Sequence, residues 1–200
     1  MASVSPTLIL ASSSPFRQAL LHKLGLPFSS HSPNIDESAL AGESAQQLVK
    51  RLAYEKALAV AQEYPSALII GSDQVAINAN GDVLGKPGTE ENAIAQLKKA
   101  SDTTVIFATG LCLLNSATGK AQVECEEFKV HFRNLSDEII ERYVKQEQPL
   151  NSAGSFKSEG LGIVLFSALE GRDPNALVGL PLILLTDFLA NEGIVLPCHG

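Results

Sequence analysis

The sequence predicts a mixed α/β fold, and three observations carry that expectation. Helical and strand-like segments alternate along the whole chain. Hairpin signals such as Asn80-Gly81 interrupt the alternation, so the sheet is expected to mix parallel and antiparallel neighbours. No linker, repeat or low-complexity stretch divides the 200 residues, and that length buries one good core, or two lobes sharing a sheet, in one domain over residues 1–200.

The elements follow in order. "TLILASSSPFRQALLHKLG" reads strand, loop, helix. Thr7 to Ala11 is a short apolar strand, Ser14 an N-cap with Pro15 behind it, and Gly25 a suitable stop. Phe28 to Ser30 is a second short strand, and "NIDE" a loop carrying acids. Ser44 and Gln47 have capping-box spacing and open a long helix to about Tyr64. "LIIGSDQV" is an apolar run that reaches Gly71, Ser72 and Asp73 before resuming at Val75. Asp73 is therefore either a turn residue or a charge delivered by a strand. Asn80-Gly81 turns a hairpin, and Thr89-Glu90-Glu91 starts a helix to about Ala100. Residues 103–133 make two long strands, and Ser136-Asp137-Glu138 starts a helix that ends before Pro149. A Gly-rich strand is expected over Gly154 to Leu169, then a turn at "EGRDPN", and a last helix from Pro181.

Composition excludes several classes. Apolar residues make up 45% and charged ones 18%, with no Trp, as in soluble globular domains. The net charge is −7, without the basic stripe that a nucleic-acid polymer requires. Cys112, Cys125 and Cys198 are far apart and odd in number, which suits reduced thiols rather than a disulfide frame or zinc site. There is no charged n-region, and no apolar stretch approaches the roughly 18 residues of a membrane span. The cytoplasm is the expected compartment. The "LPCHG" end reads as a disordered tail.

Several side chains could carry chemistry. Arg17 sits in the first turn after "SSSP", where the helix dipole opposes a cation, and a bound anion would remove that conflict. Its alternative is to point into solvent. Lys56 falls inside the apolar stripe of Val49, Leu52, Ala53, Val60 and Tyr64, so it either snorkels or meets a buried anion. Asp36, Glu37 and Asp73 follow apolar residues at element ends. Convergent carboxylates suit Mg²⁺, although Asp36 and Glu37 can equally decorate a loop. "GKP" aims Lys86, or is a plain turn. No Walker loop or G-x-G-x-x-G is present, and His22, His31, His131 and His199 form neither metal spacing nor triad. Asp73 lacks the D-x-D of an aspartyl phosphatase. Together these cations and acids suit a metal-bound polyphosphate.

The series "LILASSSPFRQALL", "NIDES", "RLAYEKA", "IIGSDQV", "GKP", "AGSFKSEG" and "LVGLP" resembles the Maf nucleoside-triphosphate pyrophosphatases, in order and over nearly the whole chain. The resemblance implies a twisted mixed sheet with flanking helices and two lobes around a deep cleft, similar to inosine-triphosphate pyrophosphatases. It implies cleavage between the α- and β-phosphates with a divalent cation, Mg²⁺ or similar. By match to the family's motifs, Ser14, Arg17, Lys56 and Lys86 contact phosphate. Asp73 is the proton acceptor, and Glu37 with Asp73 holds the metal. The apolar surplus and the family's habit fit a homodimer.

Three departures from the commonest motifs bear on specificity. "S-P-R-R" is here "S-P-F-R", "G-A-D-T" is "G-S-D-Q", and "Y-G-I-Q-G" is "F-K-S-E-G". Phe16, Gln74 and Glu159 together resemble the branch that prefers 7-methyl-GTP to UTP or dTTP, although that branch usually has Trp at the aromatic position. N7-methylation makes guanine cationic. An aromatic face at Phe16 attracts it by roughly 0.5–2 kcal/mol, and Glu159 can pair with it. The alternatives are a core aromatic and a surface charge. A free aspartate, with a pKa of about 3.9, is a weak base at neutrality, so the metal is expected to supply much of the water's acidity. UTP or dTTP cleavage, or a nucleotide-binding regulator of cell division without turnover, are the rival readings.

Overall fold

The computed structural model describes residues 7–197, so Cys198 and His199 of the expected tail lie outside the described residues. In chain order the first elements are β1 (Thr7–Ala11), α1 (Pro15–His22), β2 (Ser29–Ser30), α2 (Ala45–Ala61) and β3 (Ala67–Ile77). Then come β4 (Val83–Leu84), α3 (Glu90–Ala100), β5 (Thr104–Asn115), β6 (Lys120–Phe132) and α4 (Asp137–Glu147). β7 (Phe166–Gly171), α5 (Pro174–Val178) and α6 (Leu182–Asn191) complete the fold. The strands hydrogen-bond in the order β2-β1-β3-β5-β6-β7, with β4 against β3. β1 is parallel to β2 and β3, whereas the β3–β4 and β6–β7 pairs are antiparallel. The sheet is mixed and flanked by helices, as the alternation with hairpins predicts.

The local signals act as expected. Ser14, Ser44, Thr89 and Ser136 each cap a helix by accepting a backbone N–H, and Ser44 with Gln47 completes a capping box. α2 stops at Ala61, three residues before the expected Tyr64. The run containing Asp73 is one unbroken strand of 11 residues, so the turn reading of Asp73 is excluded.

Two expectations are corrected. Gly154 to Leu169 is mostly not strand. It forms two 3-10 turns, Ala153–Ser155 and Leu161–Leu165, before β7 begins at Phe166. Gly154 and Ser155 both have positive φ, a conformation that no strand holds. "RDPN" is not only a turn, because Pro174 opens α5 and Asp173 accepts the Asn175 N–H at 2.8 Å.

The described residues fall into two compact units. One comprises the chain up to Gln74, Thr109–Glu126 and the part from Gly179 onward; the other is Val75–Ala108 with Glu127–Val178. In the first, β3 is buried at every position from Ala67 to Asp73, the pattern of a parallel strand covered on both faces. Ile9, Ala11, Ala67, Ile69, Cys112 and Leu114 pack with Ala53, Ala57 and Val60 of α2. Gly71 and Gly110 let that helix lie very close. A Cβ at Gly71 would fall 2.0 Å from the Ala53 carbonyl oxygen, and one at Gly110 2.1 Å from that of Val49.

The second unit has a one-sided sheet. Phe128, Val130 and Phe132 of β6 face a core shared with Leu97 of α3 and Ile140 and Val144 of α4. Phe107, Phe132, Phe156 and Phe166 meet there edge to face, with ring centroids 4.8–5.5 Å apart, the arrangement that ring quadrupoles favour. Lys129 and His131 alternate outward and pair with Glu170. No helix among the described residues is long and apolar enough to cross a membrane.

Candidate active site

The register of β1 on β3 sets up the first unit's polar cluster. Ala11, the last residue of β1, pairs with Gly71, and the chain then turns through three serines into α1. β3 runs on past that point and carries Asp73 beyond the end of its parallel neighbour. Ligand sites in α/β sheets commonly form at such carboxyl ends.

Lys56 is the centre of the cluster. It is only 6% exposed, and Asp73 7%. Its Nζ lies 2.6 Å from Asp73 Oδ1 and 2.7 Å from Glu37 Oε1. Of the two sequence readings of this lysine, the structure shows the one in which it meets a buried anion. Asp73 is buried beside it, whereas the Glu37 side chain is 60% exposed on its loop. The ammonium between them relieves the repulsion of two nearby carboxylates.

Arg17 belongs to the same group. Its Nε donates to the Gly179 carbonyl at 2.9 Å, so it does not simply point into solvent. Burial pulls its guanidinium below the ordinary value, and the charges of Asp73 and Glu37 oppose that pull. Both acids thus act on Arg17 as well as on Lys56. The Ser14 hydroxyl is the N-cap, accepting the Arg17 backbone N–H at 3.4 Å. Such a hydroxyl still has its own O–H to donate.

The acidic loop is held by a clamp that sequence reasoning missed. Arg51 Nε and Nη2 lie 2.7 and 2.9 Å from the two oxygens of Glu43, and Nη2 also donates to the Ser38 carbonyl. Asp36 accepts the Ser38 N–H and so shapes the loop, while Glu37 alone of that acidic pair reaches Lys56. Hydrogen bonds from Arg51 and the Leu40 N–H hold the Glu43 carboxyl down at about 2, against an ordinary 4.5. A depressed carboxylate stabilises the fold above its unfolded value and loses that contribution as pH falls through the folded one. The stability difference between wild type and Glu43→Gln is therefore expected to be present at pH 6 and to shrink between pH 4.5 and 2. Urea unfolding at both ends checks this, and an unchanged difference would refute it.

The remaining expected residues divide between the units. Phe16 is 46% exposed on the first turn of α1, so it is not a core aromatic. Gln74 donates from Nε2 to the buried Thr109 hydroxyl at 2.9 Å, a partner 35 residues away that no motif indicated. Lys86 and Glu159 lie in the second unit, and both are exposed. The Glu159 loop is tied down by Phe156 in the core, by Tyr143 accepting the Lys157 N–H, and by Glu147 accepting the Leu161 N–H.

A divalent cation can be tested against this donor set. Among the described residues, no group of three or more His, Cys, Asp or Glu side chains could hold a metal. Glu37 and Asp73 supply two oxygen-only ligands, each using one oxygen on Lys56. That suits Mg²⁺, which needs one or two carboxylates and completes its shell with water and substrate phosphates. A thiolate nucleophile is not offered by Cys112, whose burial pushes it up to about 12.

Comparison with known proteins gives concordant matches. A family model described as "Maf-like protein" matches residues 7–192. A protein of Alcanivorax borkumensis named 7-methyl-GTP pyrophosphatase is 65% identical, over 98% of this chain and 100% of its own. One of the same name from Pseudomonas aeruginosa is 58% identical, over 96% and 100%. Among solved structures, the Staphylococcus aureus Ham1 protein superposes with a TM-score of 0.53 at 14% identity, covering 93% of this chain and 99% of that one. At that identity it speaks to the fold alone.

Proposed function

The chain belongs to the Maf-like protein family, and from that premise we propose that it hydrolyses 7-methyl-GTP to 7-methyl-GMP and pyrophosphate. The observation that carries the reading is the Lys56 ammonium held between Asp73 and Glu37, with Arg17 close enough to feel both acids. Two cations and two carboxylates in one cluster suit a triphosphate and its counter-ion. The names of the relatives at 57–65% identity support the choice of base.

In this mechanism Asp73 takes a proton from water as the water oxygen bonds to the α-phosphorus. The bond from that phosphorus to the bridging oxygen breaks, and the electron pair leaves with pyrophosphate. Arg17 and Lys56 neutralise the charge that builds on the leaving group. The Ser14 hydroxyl donates to a phosphate oxygen. Bound at Glu37 and Asp73, Mg²⁺ would supply Lewis acidity and lower the pKa of water. Phe16 offers an exposed face for the cationic base, and Gln74 is preset by Thr109. Lys86 and Glu159 keep roles that rest on their motifs, a phosphate contact and a base contact. The same reading has the protein working in the cytoplasm on free nucleotides, without nucleic acid or membrane, as a homodimer.

Pyrophosphate release from 7-methyl-GTP, GTP, UTP and dTTP, with and without Mg²⁺, tests the proposal. Preference for 7-methyl-GTP, dependent on the metal, is expected. Preference for UTP or dTTP would overturn the choice of base, and binding without release in any of the four would overturn the activity.

A further inference from the structure

One carbonyl in the first unit collects two side chains from distant parts of the chain. Arg17 Nε donates to Gly179 O at 2.9 Å, and Ser72 Oγ lies 2.9 Å from the same oxygen. Ser72 also lies 2.9 Å from Gly110 O. A hydroxyl has one proton, so Ser72 shares it between the two carbonyls. Ser72 is fully buried on β3, directly before Asp73. Gly179 has φ +118, a backbone state that L side chains rarely adopt. A Cβ there would also stand 3.3 Å from Arg17 Nε.

This arrangement gives the "LVGLP" segment a task that its sequence does not reveal. The glycine permits the turn, the buried hydroxyl fixes the carbonyl, and the carbonyl takes one of the five guanidinium N–H donors. The remaining donors are then held in a set plane, the geometry that makes Arg effective against phosphate. We propose that Ser72 and the Gly179 carbonyl are positioning groups that fix the Arg17 guanidinium as a preset clamp for the departing pyrophosphate. The inference rests on the pyrophosphatase reading of the site, but it concerns how one cation is aimed rather than which base is bound.

A double-mutant cycle with Ser72→Ala and Arg17→Ala tests it, using the full chain. Calorimetry reads the affinity for inorganic pyrophosphate with Mg²⁺, and kcat and KM for 7-methyl-GTP are measured in parallel. Ser72→Ala is expected to weaken pyrophosphate binding about tenfold when Arg17 is present and less than about twofold when it is absent, as for directly coupled groups. If Ser72→Ala fails to fold, Ser72→Cys carries the cycle, since it keeps the volume with a weaker donor. Equal effects in both backgrounds, or no pyrophosphate binding by the wild type, would overturn the proposal. Coupling without turnover of 7-methyl-GTP upholds it and overturns the substrate reading. Turnover without coupling overturns it alone.

Discussion

Asp73→Asn is expected to yield a folded protein that still binds nucleotide but cleaves it about 10³-fold more slowly or worse, the scale of losing a general base. The substitution is isosteric and keeps an oxygen for Lys56, whose Nζ lies 2.6 Å from Asp73 Oδ1. Stripping one partner from a buried pair can cost 3–5 kcal/mol by leaving a bare charge. Here Glu37 stays on the same ammonium at 2.7 Å, so the stability loss should be smaller than that range. Activity and stability are thereby separated. Pyrophosphate release and calorimetric binding of 7-methyl-GTP are the two measurements, and a near-normal rate would remove Asp73 from the chemistry.

Gly71→Ala should have the largest effect on stability, about 3 kcal/mol or more, the upper end for overpacking. The new methyl would sit 2.0 Å from the Ala53 carbonyl oxygen and 3.1 Å from Ala57 Cβ. The obstacle is helix backbone, which cannot swing aside as a long side chain does. α2 would have to lift from β3, carrying Lys56 away from Asp73, so turnover should fall with stability. Gly85→Ala is the control. Nothing lies within 4 Å of a Cβ there, and a change within about 0.5 kcal/mol is expected, as at ordinary surface positions. Urea midpoints compare the two, and a Gly71→Ala midpoint equal to that of the control would refute the packing argument.

Much of this architecture was legible because its signals are local. Caps at Ser14, Ser44, Thr89 and Ser136 act within three residues, and Lys56 betrayed itself by breaking a helical stripe. The segment after Gly154 misled because short apolar stretches with glycines do not distinguish strand from tight turn. There the backbone is decided by contacts: Gly162 passes so near the Lys157 carbonyl that a Cβ would sit 2.3 Å away. The supports of the site were hidden for a related reason. Arg17 meets Gly179 across 162 positions and Gln74 meets Thr109 across 35, and no periodicity reports on partners that far apart. Glu43 and Arg51 are only eight apart, but Glu43 lies before the Ser44 cap and outside the helix, so helical spacing does not reveal the bond.

The first unit is stitched from three stretches of chain, the last beginning at Gly179. During synthesis Asp73 and Lys56 therefore leave the ribosome long before the carbonyl that holds Arg17 exists. Arg17 itself waits for a carbonyl made 162 residues later before its guanidinium has this anchor. A contact that closes so long a loop is expected to form late in folding.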